Sequence, residues 1–309
     1  MSTLPGTPTS VRHGRPWPER APRLVATDLD GTLLDPDGRV TARTARALRA
    51  AEDAGVQVVF VTARPPRWLA GLAPHVAGHG VAICANGAAV VEVASGTVLV
   101  EHGMSADLVT RLARSLREAL GDVRLATESV DGFAAEHGFV HGAVVPDGCP
   151  LAARIEDVLP ASTLKLLVRT AADHGTRHAG VVQSAIGSAA LVADSGAHGL
   201  GEVGPLGVTK AGALAAWAAQ RGLAPQDVWA CGDAPNDLPM LTWAGESFAV
   251  ANAYDEVRAR ARHACAANAE EGVAAVLEHA AALAAGARPA RGTDLSWRAA
   301  RADPARGAG

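Results

Sequence analysis

The sequence is poor in lysine, has no closely spaced cysteines and contains no long apolar run. Only two of its 28 basic residues are lysines, Lys165 and Lys210, so a lysine here marks a place where a compact ammonium is wanted. The four cysteines form no CxxC pair, which disfavours a disulfide framework or zinc site and fits a reducing cytoplasm. No apolar run approaches the roughly 18 uncharged residues of a membrane helix, and the first residues show no signal-like apolar segment. A soluble, cytoplasmic protein is therefore expected.

The composition is globular, but the charge is uneven. Of the 309 residues, 49% are hydrophobic and 19% charged, which excludes a wholly disordered chain and suggests about two domains. The net charge of −4 combines +3 in each terminal segment (1–23 and 285–309) with −10 between them. This balance argues against nucleic acid as a partner. Residues 1–22 and 285–309, rich in Pro, Gly and Arg, are predicted to be disordered tails.

Strand-like and helix-like segments alternate in the two outer parts of the chain. Short apolar or β-branched runs that end in polar or Gly residues predict strands, and segments with apolar residues at helical spacing predict helices. Strands are predicted at 24–26, 56–64, 80–87, 228–233 and 247–250, and helices at 41–54, at 209–221 and after Pro235, with two more that end near residue 283. This alternation predicts an α/β fold with a parallel sheet covered by helices.

The middle of the chain breaks this pattern and is predicted to be an inserted α+β domain over residues 88–205. Its predicted elements are a hairpin around Ser95-Gly96 (88–101), a helix (105–120) and strands at 163–169 and 190–194. The stretch 195–207, with five glycines and a proline, is interpreted as the hinge that leads back. The core then consists of residues 23–87 and 206–284.

Two aspartates, Asp28 and Asp30, follow the first predicted strand, where open parallel sheets bind ligands. In an extended segment their side chains point to the same side, so both carboxylates can serve one pocket. One can attack a phosphorus or carbon centre as a nucleophile, while the other donates and later accepts a proton. Gly31 permits the sharp turn that this arrangement needs.

Two further positions suit an anionic ligand. Thr62 ends the second strand and can offer a hydroxyl group and a main-chain N–H group. Lys210 opens a helix whose free N–H groups and dipole already favour an anion. An added ammonium at that helix end predicts a phosphate clamp.

A second pair of acids lies in the GDAPND segment, residues 232–237. Asp233 and Asp237 supply carboxylate oxygens, the ligands that Mg²⁺ prefers. If they converge with Asp28 and Asp30, charges about 5 Å apart repel by roughly 3 kcal/mol per pair at an effective dielectric of about 20. One lysine cannot balance four carboxylates and a phosphate, so a divalent cation is predicted.

These four segments, in this order, resemble those of the haloacid dehalogenase (HAD) superfamily. The inserted domain and the endings NG (86–87) and GDAPNDLPM (232–240) are similar to its Cof-type, class IIB branch, and the resemblance covers about residues 23–283. It implies a Rossmann-like, doubly wound core with an inserted cap of the C2B type. It also implies Mg²⁺-dependent hydrolysis of phosphate monoesters, with the cap selecting the substrate.

The resemblance also implies a role for each site residue. Asp28 would be the nucleophile that becomes phosphorylated, and Asp30 the acid and base. An acid at Asp30 argues against the dehalogenase branch and the P-type pumps. The implied phosphate contacts are Thr62, Lys210 and Asn236, and the implied metal site consists of Asp28, Asp30 (through its main-chain carbonyl), Asp233 and, in support, Asp237.

Other positions stay open at this point. Ala251 stands where the family usually has Gly, a departure that one added methyl group makes tolerable. Lys165, in the middle of an apolar strand, fits a structural role at the domain seam as well as a substrate contact. Cys231 is assigned to packing. The other cap candidates for contact with the leaving group are His137, His141, Arg169 and His198.

The predicted activity is hydrolysis of small phosphorylated metabolites, sugar phosphates among them, through an aspartyl-phosphate on Asp28. Two alternatives remain. A phosphosugar mutase would need a cap that excludes water. A non-catalytic phosphometabolite sensor or scaffold would have no use for an acid at Asp30.

Overall fold

The computed structural model describes residues 16–75, 80–139, 145–172, 174–195 and 199–286. In chain order its strands are β1 (Leu24–Thr27), β2 (Gln57–Val61), β3 (Val81–Cys84), β4 (Ala89–Glu92), β5 (Val98–Glu101), β6 (Met104–Ser105), β7 (Val123–Glu128), β8 (Phe133–Glu136), β9 (Leu151–Ala152), β10 (Ser162–Thr163), β11 (Lys165–Thr170), β12 (Leu191–Ala193), β13 (Gly201–Gly204), β14 (Val228–Gly232), β15 (Glu246–Val250) and β16 (His263–Cys265). Its helices are α1 (Ala42–Asp53), α2 (Ala106–Leu120), α3 (His178–Ile186), α4 (Lys210–Ala219), α5 (Leu238–Trp243), α6 (Asp255–Arg260) and α7 (Gly272–Gly286).

The sequence signals at α1 show why these segments take these structures. The Thr41 hydroxyl oxygen caps the helix by accepting the main-chain N–H of Thr44 at 3.1 Å. Leu48 and Ala51 lie on its buried face. The chain leaves the helix through Gly55, whose φ of +86° is a conformation that glycine adopts without strain. The helix therefore begins and ends within a residue of the predicted bounds.

The core sheet has eight strands in the order β16-β15-β14-β1-β2-β3-β4-β5. The first six are parallel, and β4 and β5 add an antiparallel hairpin at one edge. Because β1 lies between β14 and β2, the carboxyl ends of these three strands are neighbours. The four segments singled out by the sequence follow β1, β2 and β14 or open α4, so the topology brings them together.

The inserted region forms a second sheet, in the order β12-β13-β11-β7-β8-β9. It is antiparallel apart from the β8–β9 pair. Apolar side chains of α2 and α3, such as Leu112 and Val182, pack with Leu125 and Val168 of this sheet. The predicted α/β core with an inserted α+β domain is confirmed, but the hairpin predicted within the insertion, 88–101, forms β4 and β5 at the edge of the core sheet. In the part of the chain that the structure describes, no helix is both long and apolar enough to span a bilayer.

One predicted loop is a strand. The stretch interpreted as a hinge, 195–207, contains β13, which pairs with both β11 and β12. A Cβ atom at Gly201 would lie 2.9 Å from Cγ2 of Val182, so glycine allows α3 to approach the sheet closely. Gly201 thus serves packing within a strand rather than chain reversal.

The predicted N-terminal tail is shorter than 1–22. Among its described residues, Trp17 donates its indole N–H to the carbonyl oxygen of Ala264 at 3.2 Å. Its ring meets that of Phe248 edge-on, with centroids 5.4 Å apart. Residues 16–22 therefore lie on the core. At the other end α7 runs to Gly286, and the rest of the predicted tail lies outside the described residues.

Candidate active site

Asp28 lies where β1 ends, at the centre of the core sheet. Its main-chain N–H donates to the carbonyl oxygen of Cys231 at 3.0 Å, which continues the β1–β14 pairing up to the acid. The side chain is buried, with 5% of the residue exposed. Cys231 itself is buried in β14, and burial raises the pKa of its thiol well above the ordinary value, in keeping with the predicted packing role.

Lys210 joins two of the acids. Its Nζ atom donates to Oδ1 of Asp28 and to Oδ1 of Asp237, at 2.7 Å each. The lysine opens α4, which Thr209 caps by accepting the N–H of Gly212 at 3.0 Å. A Cβ atom at Gly87 would lie 2.5 Å from the carbonyl oxygen of Thr209, so the Asn-Gly ending of β3 lets the start of this helix come close.

The loop after β14 holds its two acids in different ways. Both oxygens of Asp237 are engaged, because Oδ1 accepts from Lys210 and Oδ2 accepts the N–H groups of Asp233 and Ala234 at 3.1 Å each. Asp233 uses one oxygen, which accepts the hydroxyl of Thr32 at 2.7 Å. Asp237 therefore fixes the loop and the lysine, while Asp233 keeps an oxygen for a ligand.

Burial and crowding shift the titration of this cluster. Burial raises the pKa of Asp28 well above its ordinary value, the ammonium of Lys210 opposes this, and Asp237 and Asp233 add to it. Burial likewise raises the pKa of Asp233 to about 6 against the Thr32 hydrogen bond. Burial alone would lower the pKa of Lys210, but Asp237 and Asp28 raise it. The protein alone thus leaves negative charge at this site uncompensated.

The cluster fits a divalent cation. Asp28, Asp233 and Asp237 each offer a carboxylate oxygen, and these atoms lie within 4.8 Å of one another. Among the described residues, no donor contacts Oδ2 of Asp28 or Oδ2 of Asp233. A Cβ atom at Gly31 would lie 2.6 Å from Oδ2 of Asp233, so the glycine keeps the approach to that oxygen open. Two hard oxygens and an excess of negative charge suit Mg²⁺.

Asp30 lies beside this cluster and points elsewhere. Its carboxylate receives both arms of the Arg64 guanidinium, with Nε–Oδ2 at 2.7 Å and Nη2–Oδ1 at 2.5 Å. Its side chain is 57% exposed, whereas Asp28 is buried. Both acids line one cavity of about 270 Å³, as their spacing predicts, but their carboxylates do not converge. Arg64 had no predicted role. The only feature of the sequence that pointed to it was its position two residues after Thr62, at the end of a predicted strand.

Thr62 offers less than predicted. Its main-chain N–H donates to the carbonyl oxygen of Ile83 at 2.8 Å, inside the sheet, so the prediction that this N–H meets an anion is wrong. Its hydroxyl oxygen accepts the N–H of Arg64 at 3.0 Å, which leaves the hydroxyl proton for a ligand. The side chain lines the cavity.

Asn236 lines the cavity beside Lys210. Its Nδ2 atom donates to Oδ1 of Asn86 at 3.1 Å. Its own Oδ1 atom is buried, with no hydrogen-bond partner within the described ranges. Asn86 was part of the Asn-Gly ending but had no predicted role.

A second asparagine, also without a predicted role, supports the turn after Asp28. Asn252 Nδ2 donates to the carbonyl oxygen of Gly31 at 2.7 Å, and Asn252 Oδ1 accepts the N–H of Asn268 at 2.9 Å. The preceding Ala251 is exposed, so its methyl group meets solvent. The departure from Gly at that position is therefore harmless here.

The cap sheet contributes charged side chains to the cavity. Glu128 stands opposite Lys165 of β11 and Phe133 of β8. It accepts both arms of Arg67, at 2.6 and 2.8 Å. Lys165 donates to Oε1 of Glu202 at 2.7 Å and to the carbonyl oxygen of Ala63 in the core at 2.8 Å. At this cavity the cap therefore meets the core through one ion pair, Glu128 with Arg67, and through the hydrogen bond of the Lys165 ammonium to a main-chain carbonyl.

The other cap candidates lie away from this cavity or outside the described residues. His137 is exposed at the end of β8, and Arg169 of β11 is not among the described residues that line the cavity. His141 and His198 fall outside the described ranges. The described part of the cavity is lined by Asp28, Asp30, Thr62, Ala63, Arg64, Pro65, Arg67, Trp68, Glu128, Phe133, Lys165, Leu167, Ser195, Leu200, Glu202, Lys210, Ala234 and Asn236.

Comparison with known proteins defines the class. The haloacid dehalogenase-like hydrolase family model matches residues 25–277, and the chain belongs to that family. It is 28% identical over 257 residues to the 5-amino-6-(5-phospho-D-ribitylamino)uracil phosphatase YcsE of Bacillus subtilis (strain 168), covering 83% of this chain and 95% of the relative. It is 28% identical over 251 residues to the pyridoxal phosphate phosphatase YbhA of Escherichia coli (strain K12), covering 77% of this chain and 91% of the relative.

A solved structure supports the type of cap. The fold matches that of the HAD subclass IIB sugar phosphatase BT4131 with a TM-score of 0.68 and 19% identity, over 83% of this chain and 98% of that one. At this identity the likeness shows the fold alone, a HAD core with an inserted cap. The predicted family, fold class and enzyme class are confirmed.

Proposed function

We propose that this protein is a Mg²⁺-dependent phosphatase of small phosphorylated metabolites, with Asp28 as its nucleophile. One observation carries the proposal: three carboxylates lie within 4.8 Å of one another at the carboxyl end of the central strand, and two of them, Asp28 and Asp237, share the buried ammonium of Lys210. Two phosphatases are among the relatives. The arrangement attracts a cation and a phosphate to the same place, beside a carboxylate with one oxygen unengaged.

The residues divide the reaction into two steps. One carboxylate oxygen of Asp28 attacks phosphorus, the bond from phosphorus to the leaving oxygen breaks, and Asp30, in its protonated form, gives that oxygen its proton. The Asp30 carboxylate then takes a proton from water, which attacks phosphorus and releases Asp28 with inorganic phosphate. Lys210, the Thr62 hydroxyl and Asn236 hold the phosphoryl oxygens. Asp28, Asp233 and the Asp30 carbonyl would hold Mg²⁺, which when bound offsets the repulsion between nucleophile and substrate.

The cap, built on the second sheet from β7 to β13, is proposed to receive the leaving group. The cap lines its side of the cavity with the apolar side chains of Phe133, Leu167 and Leu200, and Trp68 of the core lines the cavity with them. The charged cap groups at the cavity, such as Glu128 and Lys165, are already paired. Apolar walls favour a leaving group that has a ring or other apolar face. The two relatives are named for a uracil derivative and for pyridoxal phosphate. Heteroaromatic phosphates therefore join the predicted sugar phosphates as substrates.

Two alternatives are separated by their products. A mutase would return the phosphoryl group to a sugar, and a sensor would bind phosphate without turnover. The acid at Asp30, held by Arg64 at the open side of the cavity, speaks against the sensor, which has no use for it, whereas the products alone separate a hydrolase from a mutase. We also place the protein in the cytoplasm, since three of its four free cysteines are buried and unpaired.

The test is phosphate release from a panel of sugar phosphates and heteroaromatic phosphates, with Mg²⁺ and with EDTA, for the wild type and Asp28→Asn. We expect release by the wild type with Mg²⁺ only, and none by the variant. Turnover without a free phosphate product would support the mutase. A folded wild-type protein that binds Mg²⁺ but turns over nothing would overturn the proposal.

A further inference from the structure

A continuous series of hydrogen bonds passes from the core through the cap and back. Lys165 Nζ donates to the carbonyl oxygen of Ala63 at 2.8 Å and to Oε1 of Glu202 at 2.7 Å. Oε2 of Glu202 accepts Nδ2 of Asn86 at 3.2 Å, and Oδ1 of Asn86 accepts Nδ2 of Asn236 at 3.1 Å. The two ends of this series are the loops that carry Thr62 and Asn236.

The series is buried where it crosses between the sheets. Lys165 is 4% exposed and Glu202 is 6% exposed. Isolated charges at such sites are costly, so Lys165 and Glu202 stabilise each other by pairing, and the lysine makes one further hydrogen bond to the core. The acceptor on the core is a main-chain carbonyl directly after Thr62. The hydrogen bond from Lys165 therefore fixes the main chain next to Thr62 and does not itself hold a ligand.

We propose that Lys165 is a positioning residue, which aligns the phosphate-binding loops of Thr62 and Asn236 when the cap closes. The inference rests on the proposed phosphatase function. Lys165 acts through the Ala63 carbonyl on one loop, and through Glu202 and Asn86 on the other.

The test uses Lys165→Met with p-nitrophenyl phosphate, whose good leaving group needs no proton from Asp30. The readouts are kcat, KM and the inhibition constant of inorganic phosphate. We expect kcat to fall about 10-fold to 100-fold, since small misplacements of reacting groups cost that much. We expect the inhibition constant of phosphate to rise as well. Lys165→Arg, which keeps the charge and donors, should restore part of both.

Two further variants separate positioning from mere stability. Lys165→Met alone leaves Glu202 unpaired, so the double variant Lys165→Met/Glu202→Gln removes both charges and is used if the single variant does not fold. It should recover thermal stability but not kcat. Arg117→Met is the matched control, because Arg117 also pairs with buried cap acid Glu136 but does not line the cavity. It should lower Tm and leave kcat and phosphate inhibition unchanged.

Three results would overturn the inference. A rise in KM for metabolite substrates, with p-nitrophenyl phosphate and phosphate inhibition unchanged, would make Lys165 a substrate contact. A normal kcat with a lower Tm would make it structural. Recovery of kcat in the double variant would also make it structural. Failure of the proposed function is distinct, because it appears as no Mg²⁺-dependent release by the wild type in the same assay.

Discussion

The chain has two lysines, and both are buried among carboxylates, one in the core and one in the cap. Both partners of Lys210, Asp28 and Asp237, belong to the core, so its place does not depend on the cap. Lys165 bridges Glu202 of the cap and the Ala63 carbonyl of the core, so its contacts require a closed cap. The proposed phosphate-binding ammonium is thus held within the core alone, whereas the proposed positioning ammonium lies in the cap and reaches across to the core.

The largest effect should follow from removing the core lysine. Lys210→Met takes away the phosphate ammonium and leaves Asp28 and Asp237 without it. We expect a loss in kcat of about 100-fold to 1000-fold, the range for a lost electrostatic contact to the transition state. Lys210→Arg should not restore it, because the wider guanidinium does not fit between the two acids. A larger loss in kcat for Lys165→Met than for Lys210→Met would contradict the assignment of the phosphate contact to Lys210.

Next in size is the loss of the arginine that holds the acid. In Arg64→Met, Asp30 loses both hydrogen bonds that orient it. We expect about 10-fold to 100-fold lower kcat on alkyl phosphates, a part of what acid–base catalysis contributes. p-Nitrophenyl phosphate needs little acid catalysis and should be affected much less. An equal loss on both substrates would mean that Arg64 acts on the phosphate loops instead.

A pair of glycines tests the metal site. Gly31→Ala and Gly55→Ala both place alanine at positive φ, +75° and +86°, which costs roughly 1–2 kcal/mol each. Only at Gly31 does the new methyl group approach Asp233, whereas nothing lies within 4 Å at Gly55. The Mg²⁺ concentration for half-maximal activity should rise about 10-fold in Gly31→Ala alone, as for other changes that disturb metal ligands. Equal shifts in both variants would argue against Asp233 as a ligand.

The smallest effect concerns Glu52, a partly buried acid of α1 that, unlike the acids around the two lysines, pairs with no ammonium in the described part of the chain. Oε2 of Glu52 has no hydrogen-bond partner among the residues described, and burial, with Asp53 adding to it, raises its pKa from 4.5 to about 7. The folded protein then holds an extra proton in that window, so stability falls as pH rises from 4.5 to about 7. Glu52→Gln should therefore gain about 1 kcal/mol above pH 7, allowing for solvent screening of this partly exposed group.

The check is thermal unfolding of Glu52→Gln and the wild type across this pH range. The two curves should coincide near pH 4.5 and separate as the pH rises. A constant difference at every pH would show that the carboxyl group does not titrate with folding.

The core was largely predictable because its signals are local. Strand-end acids, the lysine at a helix start and the Thr41 cap are each read within a few residues, and the parallel topology then brings them together. Bounds moved only by a few residues, as at the predicted strand 56–64, which the structure ends at Val61.

The contacts that the sequence did not show are long-range and depend on side-chain direction. Arg64 and Asp30 are 34 residues apart, and Arg67 and Glu128 are 61 apart. Lys165 fitted two roles equally because its strand reveals burial but not the carbonyl it meets. The strand β13 was missed because glycines also suit a loop, although one of them, Gly201, allows close packing against Val182.

The most direct test is to trap the phosphorylated enzyme. The wild type and Asp30→Asn are mixed with Mg²⁺ and p-nitrophenyl phosphate, quenched in acid and digested, and the peptide that carries Asp28 is weighed by mass spectrometry. The account predicts one phosphoryl group on Asp28, more abundant in Asp30→Asn because that variant lacks the base for the second step. A phosphoryl group on another residue, or none while phosphate is being released, would contradict it.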